Sequence, residues 1–139
     1  MNDENEILRT VVEYCRLLDE HSGRGLADLF TEDATFSHHG ADPIRGRDAV
    51  EATLSRGTGP LHVAVNPLIT VDGDRATGSI DHVLLKRADD GTFDIVAVGR
   101  WNDSYVRDAD RWRIAERAIE FPHGLPSPRV TPPPESTTE

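Results

Sequence analysis

Two periods divide this chain. Between residues 4 and 20, apolar side chains recur at Ile7, Leu8, Val11, Val12, Cys15 and Leu18. Spacings of three and four place them on one face of a helix. "HSGRG" then breaks the pattern, and "RGLADLF" puts Leu26, Leu29 and Phe30 on one side of a short second helix. "EDATFSHH", with Thr35 and Phe36, reads as a first strand, and "GADPIRG" as a turn or short hairpin. "GRDAVEATLSR" predicts a third helix with Ala49, Val50 and Leu54 inward.

The second half alternates instead. "LHVAVNPLITV", "RATGSIDHVLLKR", "FDIVAVGRWNDSYVR" and "RWRIAERAIEF" are β-prone runs separated by "DGD", "ADDGT" and "DAD". Asp-Gly between such runs signals a hairpin, so four long strands should form an antiparallel meander. Helices first and strands after predict an α+β domain with helices on one sheet face. The expected domain covers residues 1–124. The proline-rich end, 125–139, lacks apolar periodicity and reads as a disordered tail.

Composition narrows the picture. Of 139 residues, 37% are hydrophobic and 29% charged, and the net charge is −10. That acidity argues against nucleic acid or an anionic membrane as partner, since both call for a basic patch. No apolar run approaches the ~20 residues of a membrane span, and "MNDENEILRT" has no apolar signal core. With Cys15 the single cysteine, the expectation is a reduced, cytoplasmic protein. There is no glycine-rich phosphate loop or paired-cysteine metal site.

Side chains two apart on a strand share a face. Parity therefore groups His62 with Ala64 and Asn66. It groups Asp81 with Ser79 and Val83, against His82. It groups Arg100 with Asn102, against Trp101. On the last strand it sets Trp112, Ile114 and Glu116 against Arg113, Ala115, Arg117 and Ile119. Parity alone does not say which face is concave. Taken singly these residues favour plain readings. A helix-end Asp19 is usually a solvated cap, a strand His62 is usually structural, and Tyr14 reads as a core-edge aromatic. His38 and His39 are adjacent, so they point apart and do not suggest a metal site. Trp101 and Trp112 read as core or interface anchors, and His21 as exposed.

Together, four runs resemble a known family. "YCRLLDEHSGRGLADLFTEDATF", "IRGRDAV", "LHVAVNPLITVDGDRATGSID" and "GRWNDSYVRDADRWRIAERAI" are similar to the SnoaL-like branch of the nuclear transport factor 2-like (NTF2-like) superfamily, over roughly residues 5–121. The resemblance implies a cone: three N-terminal helices packed on a strongly curved antiparallel sheet around a central pocket. Scytalone dehydratase, bile-acid 7α-dehydratase and hexachlorocyclohexane dehydrochlorinase belong to that branch. It implies Asp19 and His62 as the catalytic pair, with Tyr14 and Asp81 as further catalytic candidates. It implies Asn66, Asn102 and Arg117 as substrate-binding positions, and Arg100, which shares the face of Asn102, is a further substrate-binding candidate. The second catalytic histidine of scytalone dehydratase has no clear match, since His82 is one step from Asp81.

The expected activity is that of a lyase or isomerase without metal or organic cofactor. A neutral His62 would take a proton from carbon, and Asp19 would fix its tautomer and stabilise the imidazolium. The expected ligand is a hydrophobic cyclic small molecule of polyketide, steroid or terpenoid type. Two alternatives stand beside it: a non-catalytic binding or partner module, and a β-type accessory subunit of a ring-hydroxylating dioxygenase. A homodimer or homotrimer is expected, because the open sheet face needs covering.

Overall fold

The computed structural model describes residues 2–55 and 59–125. Helix α1 spans Asp3–His21. The Asn2 side chain accepts from the Asn5 amide at 2.8 Å, and Asp3, Glu4 and Glu6 sit in the first turn, where the helix dipole favours acids. Ser22 and Gly23 end the helix with φ of 54° and 82°, and the Gly23 amide donates to the Leu17 carbonyl.

Leu26–Leu29 forms one 3-10 turn. The expectation of three helices is corrected here: two α-helices flank a single tight turn. Gly25, at φ 91°, starts that turn, and Phe30 is already extended as the first residue of a strand. Strand β1 (Phe30–Ser37) pairs with the short β2 (Ile44–Arg45), and α2 spans Arg47–Leu54. The meander follows as β3 (Leu61–Asp72), β4 (Arg75–Arg87), β5 (Phe93–Asp108) and β6 (Arg111–Glu120).

The sheet order is β2-β1-β6-β5-β4-β3. The four long strands pair antiparallel, but β1 runs parallel to β6. The sheet is therefore mixed rather than purely antiparallel. The helical segment between β1 and β3 carries the chain to the far edge, so β1 can close against β6.

The core lies between the helices and the inner sheet face. Ile7, Val11, Tyr14 and Cys15 of α1 meet Ile80, Trp101, Tyr105, Trp112 and Ile114. Val12 is 50% exposed, because a step of one residue turns about 100° away from Val11. Ala49 is exposed, while Val50 is fully buried. On the outer face, Leu61, Val63, Val65, Leu68, Ile95 and Val98 are exposed. The expected disordered tail, from residue 126 on, lies outside the described residues.

Two bulges decide which side chains face inward. Val65 pairs with Asp81 and Leu68 with Ser79, so Asn66 and Pro67 together oppose one residue of β4. Asn66 takes the left-handed conformation, φ 53°, which asparagine tolerates better than most residues. In β6, Glu116 pairs with Ser104 and Ile114 with Tyr105, leaving Ala115 without a partner. Arg117 and Ile119 therefore turn inward beside Trp112 and Ile114.

Candidate active site

A cavity of about 250 Å³ opens between α1, β1 and the inner sheet face. Its walls are mostly apolar, from Leu18, Phe36, Leu54, Leu84, Trp101 and Ile119. Tyr14, Ser22, His38, His62 and His82 supply its polar side chains. Among the described residues that line it there is no carboxylate.

Asp19 stands behind His62. Its Oδ1 lies 2.8 Å from His62 Nδ1, and both carboxylate oxygens accept from the His62 backbone amide at 3.1 Å. One residue of β3 thus holds the carboxylate through its backbone and its ring. Asp19 and His62 are 17% and 16% exposed in their side chains, so neither is a freely solvated surface group. Engaging Nδ1 leaves His62 Nε2 as the nitrogen free for chemistry. The αL end of α1 lets the helix stop where Asp19 can reach the start of β3.

Tyr14 lines the same cavity, although five helix residues turn about 140°. The two positions converge through His62, whose ring stands edge-on to Tyr14 with centroids 6.3 Å apart. Burial pushes the Tyr14 hydroxyl up to about 12, so it remains a phenol and a donor.

The structure separates the other expected site residues from the cavity. Asp81 points to the outer face, where it accepts from Arg100 Nε at 2.7 Å and Asn66 Nδ2 at 3.3 Å. Arg100 also approaches Glu120 at 3.9 Å. Hydrogen bonds from Arg100 and Asn66 hold the Asp81 carboxyl below its ordinary value. Asn102 is exposed on that face too. For Asn66 the reason is the bulge, which breaks the parity it would have shared with His62. For Asp81, Arg100 and Asn102 the reason is that Ile80, His82, Gly99 and Trp101 take the inner positions.

Arg117 does face inward, but it lies beneath the cavity wall. It is fully buried and donates to both oxygens of Asp103, at 2.9 and 2.7 Å. Tyr105 donates to the same carboxylate at 2.5 Å. The Arg117 guanidinium lies 4.3 Å from the Tyr14 ring centre and 4.1 Å from that of Trp101. Burial works against its charge, yet Asp103 outweighs that and holds it above its ordinary value. It braces two cavity residues instead of offering a donor to a ligand.

Plain readings of single residues missed His82. It is 2% exposed, lines the cavity, and stacks on Trp101 with centroids 4.7 Å apart and planes 12° apart. Its Nδ1 has no hydrogen-bond partner among the described residues. Burial, helped by the Arg117 charge, lowers it to about 4. The signal was present: Ile80, His82 and Leu84 alternate against Asp81 and Val83. Only the choice of inner face was open. His38 also lines the cavity, beside Phe121. Among the described residues, no group of three or more His, Cys, Asp or Glu is placed to hold a metal ion. No helix among them is long and apolar enough to cross a membrane.

The model of the SnoaL-like domain matches residues 1–118. The chain belongs to the SnoaL-like domain family. Solved structures agree on the fold. An NTF2-like protein with a cystatin-like fold from Novosphingobium aromaticivorans superposes with a TM-score of 0.80 at 26% identity, covering 88% of this chain and 84% of that one. A protein from Catenulispora acidiphila, solved in complex with S-DNPA, has a TM-score of 0.73 at 25% identity over 84% of this chain and 90% of its own. A provisionally assigned scytalone dehydratase from N. aromaticivorans matches 99% of this chain and 95% of its own at 23% identity, with a TM-score of 0.74. The SnoaL-like fold seen here is α+β, with a curved mixed sheet of six strands.

Proposed function

We propose that this SnoaL-like protein is a cofactor-independent lyase or isomerase that removes a proton from carbon in a hydrophobic ring compound. The observation that carries this reading is the 2.8 Å contact between His62 Nδ1 and Asp19 Oδ1 at the edge of an apolar cavity. His62 Nε2 is the general base. Asp19 fixes its tautomer and stabilises the imidazolium that forms. The electrons released pass to an adjacent carbonyl or expel a leaving oxygen. Tyr14 and His82, both uncharged near neutrality, are the candidate hydrogen-bond donors to the oxygen that gains charge.

Cavity size supports a small ligand. About 150 Å³ of apolar cavity accommodates one benzene ring. The 250 Å³ here favours one- or two-ring compounds over a four-ring steroid. The relative solved with S-DNPA supports ligand binding on this fold. The exposed outer-face residues, Val63, Leu68 and Val98 among them, support the expectation of a homodimer or homotrimer as part of this proposal.

Trp101 lines the cavity and reports on it by fluorescence. A panel of mono- and bicyclic hydroxyketones, read by Trp101 quenching in a Trp112→Phe background, identifies binders. Turnover of the binders is then compared in wild type, His62→Ala and Asp19→Asn. The expected loss in kcat is roughly 10²–10⁴-fold for His62→Ala, with a smaller loss for Asp19→Asn. Undiminished turnover in both variants would overturn the assignment. Saturable binding without turnover across the panel would favour a binding module.

A further inference from the structure

Gly99 lies in the middle of β5, directly opposite His82 in the β4–β5 register. Glycine inside a strand weakens it and commonly marks a close approach. Its backbone torsion does not call for glycine, since it is absent from the positive-φ positions. Space does. A Cβ at this position would lie 2.5 Å from His82 Cε1 and 2.8 Å from His82 Nε2, with the Glu120 carbonyl oxygen at 3.2 Å. The imidazole therefore occupies the volume that any other side chain would take. Two residues on, the Trp101 ring stacks nearly parallel on the same imidazole. Trp101 is itself held by Arg117, which the Asp103 carboxylate fixes.

We propose that Gly99 is a positioning residue: its missing side chain seats the His82 ring flat on β5 against Trp101, and so sets how the second cavity imidazole faces the ligand of His62. This deepens the reading above and rests on it. Ala64 pairs with His82 and His62 with Leu84, so the two imidazoles stand on diagonal positions of neighbouring strands. Such neighbours sit roughly 7–8 Å apart, the span of a small ring compound. A Cβ at Gly99 would lift the His82 ring off its seat and into a cavity of only about 250 Å³. His82 would then compete with the ligand instead of bordering it.

The charged and titratable groups that act on His82 are Arg117 from β6, His62 from β3, His38 just after β1 and, from the opposite face of its own strand, Asp81. Burial and Arg117 are the largest influences on it, and both depend on the seated position. The ring's titration thus reports where it lies, with no substrate needed.

The experiment follows the His82 ring protons by NMR against pH in wild type and Gly99→Ala, assigned with His82→Ser. Wild type should titrate near 4. In folded Gly99→Ala the midpoint should rise by at least one pH unit, as the lifted ring meets water. An unchanged midpoint overturns the proposal. If Gly99→Ala does not fold, the double variant Gly99→Ala/His82→Ser decides. Recovery of a cooperative melt supports the seat, because the clash has been removed. Failure of the double variant would place the need for glycine on the Glu120 carbonyl and overturn it. These readouts are independent of turnover, so a failed catalytic assignment for His62 would show separately, as full activity in His62→Ala.

Discussion

Asn66 shows how one residue sets the site. Parity placed it on the face of His62 and Ala64. Its left-handed φ of 53° ends that parity and turns its amide outward to Asp81. The next inward residue, Ile69, then packs on the core with the opposite parity from His62. A β-branched residue in this conformation is strained by about 1–2 kcal/mol. Asn66→Val should lower stability by about that amount, read from the denaturant midpoint. Asn66→Gly, which keeps the conformation and loses only the exposed bond to Asp81, should cost less. Equal losses in the two would show that the side-chain bond matters and the conformation does not.

At the scale of elements, β5 and β6 are joined by a charge pair inside the core. Arg117 reaches Asp103 only because the Ala115 bulge shifts β6 by one residue. Removing one member of a buried pair leaves the other uncompensated and costs about 3–5 kcal/mol. Asp103→Ala should therefore destabilise the fold by about that amount. It should also disturb the near-ultraviolet circular dichroism of Trp101, whose ring Arg117 supports. A loss below about 1 kcal/mol would contradict the pairing. The elements themselves were largely legible beforehand: α1, α2 and all four long strands follow from periodicity and from Asp-Gly turns. The single turn at Leu26–Leu29 was not, because four residues carry too little period to separate one turn from a helix. The parallel pairing of β1 with β6 was also hidden, since it joins segments far apart in the chain.

For the whole molecule, the buried neutral His82 couples stability to pH. Its folded value of about 4 lies below the ordinary 6.5. Between these values the unfolded chain binds the extra proton and the folded one does not. Stability from this source is complete above pH 6.5, falls as pH drops from 6.5 toward 4, and is gone below it. The slope should not exceed about 1.4 kcal/mol per pH unit, and water in the open cavity screens part of it. Chemical denaturation at pH 7.5, 5.5 and 4.5 should show this loss in wild type, with a flatter profile in His82→Phe. Parallel profiles would rule His82 out as the source. Asp81 acts at lower pH: its carboxyl is held below 3.8, so its contribution is lost only as pH falls through that region.

The sequence by itself determined the α+β class and the order of the long elements, and its resemblance to the SnoaL-like family singled out Asp19 and His62. The class and the order follow from local period and turn chemistry, and the pair from what the resemblance implies. Only the tertiary structure decided which sheet face is concave, and with it that His82 borders the cavity while Asp81, Arg100 and Asn102 face away. A strand's alternation is symmetric about its own axis, so it cannot name its inner side. The helices that cover one face, and two bulges that each add a residue, break that symmetry. They also moved Asn66 out and Arg117 under the wall, because one inserted residue reverses every side chain beyond it.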